Sequence, residues 1–437
     1  MPIVRLRRRQ LLALALAPLC GGALVAQEEI VENWPDGSVR ERYQLDAEAR
    51  RTGASFEYHE NGQLARKAHW KADLLHGAVL EYDAKGQTLL SCAYKDGELH
   101  GDYTSWDPDS DEREKAHYTN GKLDGKRTIR RGKEELSRQR WELGVLLDLD
   151  GIAPFPRTPE QIAQGLAAIA ALPMPPAEPA DDSLWPERIA ALRRLQQYRF
   201  LCFVPHEEMV LVPAWNRACD KGSELCKAIG HLDHTPPNPG WPEEEYRLGY
   251  EGTSHANLAV GSSLVGSVDS YMDDSDPSNI DRVGHRRWCL NPRMLKTGFG
   301  LAAPFSAMWS MDGSRGNAKV EAVCYPPAGY VPRSMFHPRH AWSCAPPPGM
   351  FGRMTKRSIE VAIHPLDERY VRSPDPLPLD YFGIAGGGFG TGDCLIFRPA
   401  SLGTAPGNRY WVEVREKDEA RPKTLRYVVE FVELKPE

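Results

Sequence analysis

The sequence predicts a multidomain α+β chain: a sheet of β-hairpin repeats first, a helix-bearing central region next, and a small β-sandwich last. Three observations carry that expectation. Gly53, Gly77, Gly101 and Gly125 recur every 24 residues, apolar residues between 211 and 272 fall at helical spacing, and the chain beyond 357 breaks into short alternating runs separated by glycine and proline. At 437 residues the chain is long enough for roughly two to four domains, each with its own core. Its 41% hydrophobic and 26% charged content is that of ordinary globular protein.

The chain opens with Arg5, Arg7, Arg8 and Arg9 ahead of LLALALAPL and small residues up to Ala26, a secretory-signal pattern over 1–26. Arg8 and Arg9 followed by Gln10, Leu11 and Leu12 also resemble a twin-arginine signal, so export by either route is expected, to the periplasm, the cell surface or the medium. Leu19 is too large for a lipobox before Cys20. No later stretch reaches 18 apolar residues, so no membrane span is expected. Cleavage would remove four arginines and no acids, moving the formal net charge from −6 to −10, which argues against a nucleic-acid partner.

The repeat glycines stand in RRTGASFEY, LLHGAVLEY, ELHGDYTSW and KLDGKRTIR. Asp36-Gly37, Asn61-Gly62, Lys85-Gly86 and Arg131-Gly132 supply second turns, and Trp70, Tyr94, Tyr118 and Trp141 end the following strands. Each unit reads as a β-hairpin whose turn glycine takes positive φ and whose aromatics face a shared core. The series, about 31 to 145, resembles the bacterial MORN-type repeat in the variant seen in proteins labelled toxin-antitoxin system antitoxins. That resemblance implies a stiff interaction surface, toward an extracellular or periplasmic protein, a glycan or a lipid.

Composition divides the chain into a signal (1–26), hairpin repeats (31–147), a proline- and alanine-rich linker with one short helix (148–186), a helical domain (187–320) and a β-module (321–437). In the helical domain, Leu211, Trp215, Ala218, Leu225 and Ile229 form one apolar stripe, with His234 just past the helix. A second helix is expected from Leu264 to Asp274, stopped by Pro277, with Asp273, Asp274 and Asp276 as a solvated acidic loop. CYPPAGYVP and CAPPPGMFG are too rich in proline for core strands, and GIAGGGFGTGD at 383 to 393 reads as a flexible connection because no strand-loop-helix context makes it a dinucleotide loop. SIEVAIHP, CLIFRPA, RYWVEVREK and LRYVVEFVEL read as strands, and the module is similar to the immunoglobulin-like tails of some bacterial surface proteins.

LQQYRFLC (195–202), the helix before His234, RLGYEGTSHANLAVG (247–261) and YMDDSDPSNIDRVGHRRWCLNP (271–292) stand in the order of one scaffold. Together they resemble the CAP superfamily, in particular its bacterial SCP-like branch, over about 190 to 312. The resemblance implies an α-β-α sandwich with His234 and His285 as metal-binding histidines. It also sets Asp274 near a second acidic position, and Asn257 as the cleft asparagine beside Ser254. Ala256 stands where the family carries a cavity glutamate, and His255 replaces the preceding glycine as a candidate replacement ligand. Two imidazoles hold zinc or another divalent cation weakly, with water completing the shell. The expected function is therefore an exported binding protein rather than an enzyme; the alternative is a metal-assisted hydrolase of a peptide, ester or cell-wall substrate, its base supplied by His255 or Asp274.

Eight of the nine cysteines lie beyond the signal, an even number that permits disulfides in an exported chain. Cys219 and Cys226 are two helical turns apart and too distant to bridge; Cys324 and Cys344, flanking a proline-rich loop, are the preferred pair.

Overall fold

A computed structural model describes residues 28–434 apart from 179, 262, 317, 319, 320, 418, 419 and 421. Residues 1–26, where the sequence leads one to expect an export signal, lie outside the described residues. The chain divides into two compact units between Ala153 and Pro154.

Among its described residues, the first unit is a fourteen-stranded antiparallel sheet, β1 (Glu28–Asn33) through β14 (Val145–Leu149), its main path running in chain order. Each repeat glycine sits directly across the ladder from an aromatic: Gly53 faces Trp70, Gly77 faces Tyr94, Gly101 faces Tyr118 and Gly125 faces Trp141. All four take positive φ, from 68° to 109°, a conformation that strains any side chain. A further set of turns sets the strand pairing. Asp96-Gly97 and Asn120-Gly121 have positive φ at both positions, the mirror-image turn whose twist matches paired strands. On one face Ala68, Val79 and Cys92 are buried with Trp70, Leu90, Tyr94 and Tyr103 packed around them, the shared core that the aromatics predict.

The second unit begins with α1 (Pro159–Ala170), entered through a reciprocal Thr158–Gln161 capping box. Its central part has three layers. In the middle lie β16 (Ala256–Val260), β19 (Phe305–Trp309) and β18 (Phe299–Ala302), antiparallel in that order. Alternation along β16 assigns the two faces. Ala256 and Leu258 pack with Ala218, Cys219 and Cys226 of α3 (Pro213–Ile229). Ala259 packs toward α2 (Trp185–Leu201) and α5 (Leu264–Asp273). Glycines let α3 lie backbone against backbone on its neighbours: a Cβ on Gly300 of β18 would stand 2.1 Å from Asp220 N, and one on Gly252 of α4 (Glu243–Ser254) 1.8 Å from Ala218 O.

Two four-stranded sheets follow. One is ordered β20 (Val323–Tyr325), β22 (Trp342–Ala345), β25 (Cys394–Pro399), β24 (Leu379–Ala385); the other β21 (Gly329–Pro332), β27 (Thr424–Val432), β26 (Arg409–Glu416), β23 (Ile359–Leu366). They share one core with α2 and α5, in which Trp342, Phe397, Val412 and Phe431 are buried beside Leu195, Val268 and Met272. The proline-rich segments thus contain three strands, contrary to the sequence expectation. Pro326 and Pro346 follow directly after β20 and β22, and Pro332 ends β21, so each proline falls where its missing N–H costs no interior ladder bond. Nor is the glycine run at 383–393 a free connection. Its first residues complete β24, and Arg287 donates to Gly386 O (2.7 Å), Gly392 O (2.8 Å) and Thr391 Oγ1 (3.0 Å), with its guanidinium 5.0 Å over the Phe389 ring.

Candidate functional site

The polar cluster at the end of α5 follows from one backbone reversal. Asp274 caps the helix in the left-handed region (φ 44°), which turns its carboxylate inward rather than along the helix axis. The side chain is 1% exposed, so the acidic segment is not wholly a solvated loop: Asp274 is buried, while Asp273 stays half exposed and Asp276 caps its own turn through Ser278 and Asn279. A second left-handed residue, Val283 (φ 41°), leads into the short helix α6 (Gly284–Cys289) and presents His285 to that carboxylate.

The His285 ring nitrogen Nδ1 lies 2.8 Å from Asp274 Oδ1, and Arg286 N donates to Oδ2 at 3.3 Å. A carboxylate accepts only, so Nδ1 carries a proton, and in the neutral ring Nε2 presents its lone pair. No described residue hydrogen-bonds Nε2, and the side chain keeps 22% of its surface exposed. Asn257 is 1% exposed and holds the base of this arrangement: its Nδ2 donates to His285 O (3.0 Å), and its own carbonyl accepts from Tyr271 Oη (3.0 Å). It is a positioning residue more than a cleft-facing one.

The other residues singled out by sequence stand in separate settings. His234 is exposed, with Nδ1 3.0 Å from Thr253 O, and no hydrogen bond or ion pair among the described residues joins it to His285 or Asp274. His255 lies flat on Trp309 (4.9 Å, 9°), extending a Trp215–Trp309 stack (4.9 Å, 8°). Ser254 Oγ donates to Tyr250 O at 2.7 Å. Ala256, where the sequence resemblance expects a glutamate, is enclosed by Cys226, Leu258, Phe305 and Trp309, where a carboxylate would lose its hydration. Among the described residues no three His, Cys, Asp or Glu side chains gather as a metal-binding group. The donors therefore do not fit a tightly held resident metal. They offer one imidazole nitrogen at His285, oriented by Asp274, and another at His234.

Three features were not read from the sequence. Arg286 is fully buried and donates to Met272 O (2.8 Å), Ala341 O (2.7 Å), Ser343 Oγ (3.1 Å) and Asp273 O, while its guanidinium sits 4.7 Å over the Tyr325 ring. Arg199, also fully buried, is spent on carbonyls at Pro205, Cys289, Asn291 and Met294; burial, with Arg315 nearby, lowers it to about 9. His340 Nε2 faces Asp273 at 3.5 Å, and burial lowers its imidazole to about 4. A single arginine in a helix or a histidine in a loop carries no local mark of such partners.

All eight cysteines in the described region are unpaired thiols. Cys324 and Cys344 nonetheless stand opposite each other on β20 and β22, with sulfurs 3.4 Å apart.

No curated protein matches the chain. A family model described as a MORN repeat variant matches residues 51–72, the stretch in which Gly53 faces Trp70, so the N-terminal hairpin sheet contains a MORN repeat variant.

Proposed function

We propose that this is an exported binding protein whose central layers are those of the bacterial SCP-like branch of the CAP superfamily, with His285 as the contact point for a small ligand or a weakly held divalent ion. The supporting observation is the pairing of His285 with a buried Asp274, which fixes the tautomer and leaves Nε2 unbonded. His234 is the second contact. The hairpin sheet serves as a partner surface toward an extracellular or periplasmic protein, with Tyr43, Arg51 and Trp70 stacked on one face (4.1 and 5.5 Å). Zinc titration by calorimetry on the mature protein, beside a His234→Ala/His285→Ala double variant, tests the cleft. Weak binding that the double variant loses supports the reading; identical isotherms sink it. A second reading, hydrolysis, draws on the same pair, because a carboxylate-oriented imidazole is the arrangement of a general base. Ester hydrolysis lost in His285→Ala would favour it over binding alone.

A further inference from the structure

We propose that Cys324 and Cys344 form a disulfide that closes the 325–343 loop and fastens it beside the Asp274–His285 pair. The two residues are direct cross-strand partners of an antiparallel ladder, a placement whose Cα separation lies within the range a disulfide spans. Their sulfurs are already in contact at 3.4 Å. No strand needs to shift register; the side chains rotate toward each other.

The two thiols differ in access. Cys344 is fully buried, whereas Cys324 keeps 8% of its surface and lines a cavity of about 690 Å³ with Cys202, Phe203, Met350 and Tyr427. Cys324 is therefore the sulfur that meets an external oxidant, here a disulfide such as oxidised glutathione. The Cys324 thiolate attacks one sulfur of that disulfide, forming a mixed disulfide and releasing one thiol. Cys344, deprotonated, then attacks the Cys324 sulfur and releases the second thiol. Two S–H bonds are lost, one S–S bond forms, and the oxidant's disulfide ends as two thiols.

The closed loop is bonded to the segments on either side of the Asp274–His285 pair. Ala341 N donates to Ser275 Oγ (2.8 Å), Arg286 donates to Ala341 O and Ser343 Oγ, and His340 faces Asp273. These bonds tie the loop to the segment that carries Asp274 and to the residue after His285. The disulfide stands independently of whether the cleft binds a ligand.

The test uses the mature chain equilibrated with oxidised glutathione, then denatured, alkylated without reductant and digested. The expected result is two unalkylated cysteines, a peptide linking 324 to 344, and a mass about 2 Da below that of the fully reduced chain. In Cys344→Ser every remaining cysteine should be alkylated after removal of any glutathione adduct by mild reduction. Eight alkylated cysteines in the wild type, a glutathione adduct that persists on Cys324, or a link from Cys324 to Cys202 would each overturn the proposal.

Discussion

Asp274→Gly sets two effects of known sign against each other. Glycine removes the cost of holding a non-glycine residue at φ 44°, worth about 1 kcal/mol. It also deletes the acceptor for His285 Nδ1 and Arg286 N, and a hydrogen bond to a buried charged group is worth about 1.5–3 kcal/mol. Two such bonds outweigh the backbone gain, so the variant should lose about 2–5 kcal/mol. Asp274→Asn keeps an acceptor and tolerates the left-handed backbone, and should lose about 1 kcal/mol through the missing charge. Urea unfolding gives the stabilities, and the imidazole nitrogen shifts of His285 give the tautomer. Wild type should carry the proton on Nδ1, and Asp274→Gly should show a mixture. If Asp274→Gly is as stable as wild type and its His285 tautomer is unchanged, the carboxylate does not orient the ring, and the candidate site loses its basis.

Gly252→Ala should be far more damaging, about 3 kcal/mol or more, because its Cβ would fall 1.8 Å from Ala218 O and force α3 and α4 apart. Gly352→Ala, where a Cβ meets nothing within 4 Å, should stay within about 0.5 kcal/mol in the same urea unfolding. His340 predicts a pH dependence. Burial, reinforced by Arg286 and His337 and opposed by Asp273, lowers its folded value from 6.5 to about 4, so the unfolded chain takes up the proton first as pH falls. The stability from neutral His340 is whole above pH 6.5 and is lost between 6.5 and about 4, on the order of 3 kcal/mol in all. His340→Gln should flatten that portion of a stability–pH curve; an unchanged slope would show that another group produces it.

What the sequence made legible is what short-range rules determine. A 24-residue spacing of glycines predicts a hairpin array because each needs positive φ at the same place in each unit, and the register bears this out at Gly53, Gly77, Gly101 and Gly125. The second turns expected at Gly37, Gly62, Gly86 and Gly132 likewise take positive φ, whereas Asp96-Gly97 and Asn120-Gly121 went unread although the same dipeptide rule marks them as hairpin turns. The strands beyond 357 and the apolar stripe of α3 follow from period and composition. The misreadings have a different cause, which is a partner far away in the chain. Asp274 looks like solvated surface until His285 and Arg286 arrive eleven and twelve residues later. The glycine run looks free until Arg287 reaches it from about a hundred residues upstream.

Those distant partners come from three consecutive residues. His285 goes to Asp274, Arg286 to the carbonyls around 273 and 341, and Arg287 to the loop at 386–392. One short helix therefore fixes the end of α5, the loop between β21 and β22, and the connection between β24 and β25 at once. Two guanidiniums are fully desolvated there and satisfied almost entirely by neutral acceptors, an arrangement that tolerates little movement because each lost carbonyl leaves a buried charge short of a partner. That rigidity is what lets Val283 and Asp274 persist in left-handed conformations, and with them the orientation of His285. The segment is conspicuous in sequence for its histidine, yet its two arginines build the frame that gives the histidine a fixed direction.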